Sequence, residues 1–327
     1  MSAAAFAGRA PVTLTDLHPR PDDIAAGAVA GLSRTPKHLP SKYFYDAEGS
    51  RLFEAITRQP EYYPTRTELA LLDARMPAIA QAIGPGAHVV EYGSGSGRKT
   101  ERLLEGLIDP VAYTPVEISR TAVLEATERL AGRFPQLEML PVCGDFTRPL
   151  QLPQARRHAR RMLMFFPGST IGNFTDAEAV RLLDAMRRSM GRDGAALIGI
   201  DLVKDPALIE AAYNDAAGVT ERFTLNLLER LNREVGSDFD VDAFAHRAVY
   251  VRERERIETA LVSRRAQTVH LAGRGFRFEE GEAMLVEYSQ KYSDDHFAEL
   301  AAIAGLRVTH GWNDPRDWMG LRLLRPS

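Results

Sequence analysis

Short apolar runs and stretches of helical periodicity alternate between His88 and Leu202. His88–Tyr92 passes straight into glycines. Val111–Ile118, Leu137–Cys143, Arg161–Phe166 and Ala195–Leu202 read as further strands, and Lys99–Gly106, Arg120–Arg133 and Asp176–Met190 carry the apolar spacing of helices. Such alternation predicts βαβ units and a parallel sheet. Ahead of it, residues 17–66 read as mostly helical, broken at Pro40–Ser41 and Pro64. Thr67–Ile83 reads as an amphipathic helix ended by Gly84-Pro85-Gly86. Beyond it, Lys204 to about Phe239 is helical again. Ala245–Val251, Arg256–Ser263, Thr268–Leu271 and Phe276–Phe278 have strand character, and the alternation over Arg256–Arg265 suits an antiparallel strand with one wet face. A helix at Asp294–Ala304 and short strands at Leu306–Trp312 and Trp318–Leu324 complete the pattern.

The reading is an α/β fold. A doubly wound, Rossmann-like sheet spans 67–202 and resumes over 292–327, and a second, smaller α+β unit combines 14–66 with 203–291. Ligands of such sheets bind beyond the carboxyl ends of the strands, where the second unit is expected to cover the opening.

Composition narrows the classes. Apolar residues make up 45% of 327 residues, enough for a full core, and the net charge of −3 gives no reason to expect nucleic acid as a partner. The basic run Arg156–Arg161 reads as a solvated segment before a strand. The single cysteine, Cys143, forms no intramolecular disulfide and lies in an apolar run, where a buried structural thiol is expected. The N-terminus lacks the layout of a secretory signal, and no run approaches the roughly 20 apolar residues of a membrane span. A cytoplasmic monomer acting on a small molecule, without membrane partners and without a metal, is the expectation.

Candidate chemistry begins at Val89–Gly97 (VVEYGSGSG). A nicotinamide fingerprint needs G-x-G-x-x-G, but Arg98 stands where its third glycine belongs. The spacing is Glu91-x-Gly93-x-Gly95-x-Gly97. An acid two before the first glycine suits a cationic methionine portion better than a pyrophosphate, which points to S-adenosylmethionine. Glu117, at the end of the second strand, can accept from ribose hydroxyls. Asp145, after the third, can accept from an adenine amino group while Phe146 covers the ring. Either acid alone could be a helix cap or a surface residue.

Longer motifs carry a family resemblance. Leu39–Glu68, Gly168–Phe174 (GSTIGNF), Gly199–Asp205 (GIDLVKD), Tyr213–Glu234 and Glu279–Tyr292 (EEGEAMLVEYSQKY) occur in one order over nearly the whole chain. In this they resemble the ergothioneine-pathway histidine Nα-methyltransferases. The resemblance implies a Rossmann-like methyltransferase domain, a substrate-binding domain, and three successive methyl transfers from S-adenosylmethionine to the α-amine of L-histidine, giving hercynine. Carried over by motif, it implies cofactor contacts at Tyr62, Gly93, Lys99, Glu117, Asp145 and Phe146. Glu117 departs slightly from the family, which usually has Asp there.

For the substrate, the resemblance implies that Asn173 and Tyr213 hold the α-carboxylate. Glu287 and Ser289, with Tyr45 nearby, would read the imidazole. Glu287 and Ser289 stand two apart, so a strand puts both on one face. Without the family context, Asn173 could be an Asx turn or a helix cap, Tyr213 a helix residue with its hydroxyl in water, and the Glu/Ser pair a solvated strand face. Tyr45 and Asn173 are placed as the catalytic residues at the amine. Tyr45 or an ordered water could assist deprotonation, and the residues leave the base itself open. Gly168 and Gly172 would leave space for a methylated amine, or serve only as turn residues. An Nα-methyltransferase for another amino acid or amine is the alternative; a binding protein without turnover and a nicotinamide oxidoreductase are the readings from other classes.

Overall fold

The computed structural model describes residues 12, 14–17, 24–93, 95, 97–148 and 150–327; the expected absence of a leader falls outside these. Elements are numbered in chain order. Strands β1 (Thr15–Asp16), β2 (Ala87–Tyr92), β3 (Ala112–Glu117), β4 (Glu138–Met139), β5 (Val142–Cys143), β6 (Arg161–Phe166), β7 (Ala195–Asp201), and later β13 (Leu306–Asn313) and β14 (Met319–Pro326) form one sheet. Its order is β1-β5-β3-β2-β6-β7-β14-β13, with β4 beside β3. Pairings from β1 to β7 are parallel, while β14 runs antiparallel to β7 and β13 to β14. After β1 at the edge, the chain passes to central β2, moves outward through β3 and β5, then returns to β6 and β7 on the other side. That reversal between β2 and β6 is the switch point at which such sheets bind ligands.

Alternation along the strands explains the two faces. Met164, Phe166, Ala196, Ile198 and Ile200 pack on helices α6 (Asp176–Met190) and α9 (Asp294–Ile303). Leu163, Phe165, Ala195 and Leu197 pack with residues of α3 (Tyr63–Ile83), α4 (Arg98–Gly106) and α5 (Arg120–Arg133). A capping box between Thr175 and Glu178 opens α6, and the Ser119 hydroxyl, accepting from the Ala122 N–H, opens α5.

The remaining chain builds a second core. Helices α1 (Ile24–Leu32), α2 (Ala47–Ile56) and α8 (Val219–Val235) pack with a three-stranded antiparallel sheet of β8 (Phe244–Val251), β9 (Arg256–Ser263) and β12 (Ala283–Gln290). The hairpin β10 (Gln267–Leu271)–β11 (Arg274–Phe278) completes it, and the short α7 (Pro206–Tyr213) packs through Ile209 on β8 and β9.

Several boundaries differ from expectation. Pro64 does not break a helix but sits in the first turn of α3, where its missing N–H costs nothing. Leu137–Cys143 splits into β4 and β5. The helical stretch after Lys204 is cut between α7 and α8 by a turn in which the Asp215 carboxylate accepts from the Val219 and Thr220 N–H groups. Cys143 is buried, as expected. Among the described residues no helix is long and apolar enough to cross a membrane, and no metal-binding cluster occurs.

Candidate active site

The loop after β2 brings Gly93, Gly95 and Gly97 into positive φ (73°, 47° and 68°), a region glycine enters without the penalty a Cβ carries. A Cβ at Gly93 or Gly95 would meet nothing within 4 Å, so the loop borders open space. The Gly95 N–H points to the Glu117 carboxylate at 3.4 Å, setting the end of β3 beside the loop. Asp145 follows β5; its carboxylate accepts from the Thr147 N–H (2.9 Å) and hydroxyl (2.6 Å) in an Asx turn and pairs with Arg148 at 3.5 Å. Phe146 stacks on Tyr92 with centroids 5.2 Å apart and planes at 12°, and meets Phe166 at 5.9 Å in a T-shaped contact, which fixes its ring beside the loop. An exposed glycine cradle bordered by carboxylates at the ends of β3 and β5 suits a nucleoside with ribose hydroxyls and an amino-bearing base.

Glu91 departs from expectation. It is 1% exposed, and its carboxyl accepts from the hydroxyls of Thr100 (2.8 and 2.7 Å) and Tyr113 (2.5 Å), so it braces the loop from beneath rather than facing a ligand. Burial pushes it up to about 8 against those two donors. The folded state therefore holds a proton that the unfolded chain, with an ordinary carboxyl, releases. Stability from this group is present at low pH and is lost as pH rises from the unfolded carboxyl range through about 8. Glu91→Gln should flatten the fall relative to wild type by up to about 1.4 kcal/mol per pH unit within that window, the limit for one proton. Unfolding titrations of both proteins at several pH values check this.

Lys99, in the first turn of α4, pairs with Glu68 of α3 at 2.5 Å. Glu68 is fully buried and accepts from the Gly168 N–H at 2.9 Å to each oxygen. This buried carboxylate, absent from the sequence reading, ties the glycine loop to the turn after β6. Gly168 is a turn glycine with φ +83°, and a Cβ there would lie 3.1 Å from the Lys99 ammonium. Its presence reflects backbone shape and this contact, not room for a methylated amine. The same correction applies to Gly172: a Cβ would lie 2.8 Å from the Gln290 carbonyl oxygen. Gly172→Ala must therefore push the turn away from β12, and a loss of roughly 1–3 kcal/mol in unfolding free energy is expected, measured by denaturant titration. Asn173 follows directly, at the end of the 3-10 turn Thr170–Asn173. It does not cap α6, whose cap is Thr175, and among the described residues its side chain makes no hydrogen bond, leaving its amide available to a ligand.

The other wall is aromatic. Tyr45 contacts Phe53 and Phe223 edge-on, at centroid distances of 5.8 and 5.6 Å, and Tyr62 contacts Phe53 at 6.3 Å. Tyr45 keeps 43% of its surface open, yet burial, then the charge of Glu287, raises its phenol well above the usual tyrosine range. Tyr62 and Tyr213 are raised too, first by burial. These phenols hold their protons at neutral pH. A phenol that keeps its own proton can assist deprotonation as a relay but is not itself a standing base. Glu287, pushed up to about 7 by burial with Lys291 acting in the opposite direction, is the acidic member of the group.

A bulge between Leu285 and Glu287 shifts the register of β12 on β9, and beyond it Glu287, Ser289 and Lys291 share one face by strand alternation. Tyr213, at the end of α7, donates to Ser289 Oγ at 2.5 Å, so its hydroxyl is not simply in water. The fully buried Lys291 donates to Ser289 Oγ (2.7 Å), Tyr213 Oη (3.0 Å) and Asp201 (2.8 Å). Asp201 ends β7 and also accepts from Tyr63 (2.9 and 2.8 Å) and Lys204. Burial works against its charge, but Lys291 and Lys204 hold the carboxyl below its usual range. This network, which joins the two sheets, was missed. Its signal lay in an acid closing an otherwise apolar strand, with lysine three residues on, and in the i+2 continuation from Ser289 to Lys291.

A doubly wound parallel sheet closed by an antiparallel hairpin, with an open glycine cradle at its switch point, defines a Rossmann-like methyltransferase. Residues 24–326 match the family described as histidine-specific methyltransferase, SAM-dependent, and the chain belongs to that family. It is 42% identical over 300 residues to the histidine N-alpha-methyltransferase of Mycolicibacterium smegmatis, and 39% identical over 299 residues to that of Mycobacterium tuberculosis. Each alignment covers 90% of this chain and 92% of the relative. Ergothioneine biosynthesis protein 1 of Neurospora crassa is 30% identical over 89% of this chain, which spans 33% of that protein.

Proposed function

We propose that this protein transfers three methyl groups in turn from S-adenosylmethionine to the α-amine of L-histidine, producing hercynine as a step of ergothioneine biosynthesis. The observation that carries the reading is the face shared by Glu287 and Ser289. It sets an acceptor and a hydroxyl side by side beneath an aromatic wall, as the two nitrogens of an imidazole require and as an indole or phenol does not. We assign the cofactor to 67–202 with 292–327, and the substrate chiefly to 14–66 with 203–291.

The cofactor supplies a methyl already activated by its sulfonium. The protein's task is then positioning, because in-line transfer depends on holding amine and methyl carbon in contact. Gly93 and the neighbouring backbone would take the methionine portion, Glu117 the ribose, and Asp145 with Phe146 the base, while Lys99 and Tyr62 border them. Asn173 and Tyr213 would hold the α-carboxylate, leaving the amine lone pair free to form the N–C bond as the C–S bond breaks. One proton must leave before each new attack. Neutral phenols at Tyr45 and Tyr62 can pass that proton to solvent, and their rings favour the cationic product.

Competition tests the substrate. With L-histidine, histamine and L-tryptophan supplied together, methylated histidine alone should accumulate: histamine lacks the carboxylate and tryptophan the second ring nitrogen. Preferential methylation of either competitor would overturn the reading.

A further inference from the structure

Thr259 is fully buried on β9, and among the described residues its hydroxyl oxygen has no hydrogen-bond partner. A buried donor left in this way carries a desolvation cost that a partner would offset. Its surroundings offer few candidates. Ala248 lies opposite on β8, and Ile257 and Leu261 share its face of β9. All three are apolar. Directly across on the other side, on β12, stands Glu287. Among the described residues nothing donates a hydrogen bond to that carboxyl; burial and the charge of Lys291 are what act on it. One strand thus presents a buried donor without an acceptor, and its neighbour, at the paired position, an acceptor without a donor.

The bulge in β12 makes this pairing. Leu285 lies opposite Ala260 and Glu287 opposite Thr259, with Val286 set between them. In an unbroken register Val286 would stand across from Thr259 and Glu287 across from Glu258, and like charges directly opposed destabilise a sheet. Bulges beside sites re-aim a side chain in this way. The Cβ atoms of directly opposed residues lie about 4.5–5.5 Å apart. The two methylenes of a glutamate carry its carboxyl across that gap by side-chain rotation alone.

We propose that Thr259 is a positioning residue: its hydroxyl donates to one oxygen of the Glu287 carboxylate and turns the other toward the ring N–H of the substrate. The inference rests on the histidine reading above, in which Glu287 meets the imidazole. An anchored oxygen removes side-chain freedom from Glu287 before the ligand arrives, so less is lost on binding. The Thr259 hydrogen has no other use among the described residues, and a carboxylate accepts from several donors at once. The bond therefore forms wherever the Tyr213 hydroxyl points, and it leaves Asn173, Tyr213 and Ser289 to their own contacts.

Steady-state kinetics with L-histidine varied at saturating S-adenosylmethionine test this. Thr259→Val keeps the shape of the side chain and removes the donor. It should raise KM about five- to tenfold, the value of one ordinary hydrogen bond. The turnover number should stay within about twofold, because the threonine acts on ring binding and never meets the amine. Thr259→Ser, which keeps the hydroxyl, should stay within about twofold of the wild-type KM. In a Glu287→Ala background the valine change should alter KM by less than about twofold, since the group it acts through is gone. Thr259→Ala also lacks the hydroxyl and serves in both backgrounds if the valine variant does not fold. A threonine that merely fills the sheet would cost the same with or without Glu287. An unchanged KM in Thr259→Val, an equal loss in the Glu287→Ala background, or failure of serine to restore KM overturns the proposal. If Glu287→Ala itself leaves the KM for histidine unchanged, the histidine reading of Glu287 fails, and this inference with it.

Discussion

Glu287→Ala should lower kcat/KM for L-histidine by roughly 30–150-fold, the equivalent of about 2–3 kcal/mol for a charge-assisted hydrogen bond. Most of the loss should appear in KM. The carboxylate reads the ring rather than the reacting amine, so histidine that does bind still reaches the methyl group. Glu287→Gln retains an acceptor oxygen and should lose less, about tenfold, because a neutral acceptor is weaker. Because Glu287 lies near 7, the accepting carboxylate is present above that pH and is lost as pH falls through it. The Gln variant should lose this contribution to the acid limb. Steady-state kinetics with saturating S-adenosylmethionine check all three statements. An unchanged KM in the alanine variant would remove Glu287 from the substrate site.

Asp201→Asn should be the most destabilising single change. Two buried ammonium groups, Lys204 and Lys291, share this one carboxylate, and an amide cannot compensate them. Removing one partner of a buried ionic cluster costs about 3–5 kcal/mol, a fall on the order of 10 °C in Tm for a chain of this size. Part of the loss should return at alkaline pH, where a lysine can shed its proton, and Lys204 is already lowered by burial. Thermal unfolding across pH measures both effects. Histidine affinity should fall as well, because Lys291 holds Ser289 and Tyr213.

The strand ends of the main sheet were legible because each is marked by chemistry out of place in an apolar run. Glycines follow Tyr92, Glu117 closes β3, and Asp145 follows Cys143. The alternation Glu287-x-Ser289 was legible for the same reason. What the residues could not reveal is who pairs with whom across the fold. Glu91 has the position of a ligand acid but is engaged by Thr100 and Tyr113. Gly172 reads as a gap but is required by the backbone of Gln290. Glu68 and Tyr63 sit in helix α3 and Lys291 just past the end of β12, and their partners lie on other strands and loops, so periodicity treats them as ordinary positions of those segments. The central sheet emerged nearly whole from the pattern. The split of β4 from β5 and the opening of α3 at Pro64 depend on local hydrogen bonding that hydrophobic spacing does not encode.

The buried network also explains why two differently built cores can share one site. Asp201 belongs to the parallel sheet and Lys291 extends the antiparallel one; the Tyr292 N–H donates to the Asp201 carbonyl at 2.8 Å and the Val203 N–H to the Tyr292 carbonyl at 3.1 Å. The residues proposed to hold the substrate are thereby fixed relative to the loop proposed to hold the methyl donor, which is the condition for positional catalysis.

The most direct measurement is mass spectrometry of L-histidine incubated with the protein and S-adenosylmethionine. Successive gains of one, two and three methyl groups at the α-amine are expected, with the trimethylated product accumulating at the end and the ring nitrogens unmodified. Absence of any mass gain, or methylation on the ring, would contradict the proposed activity.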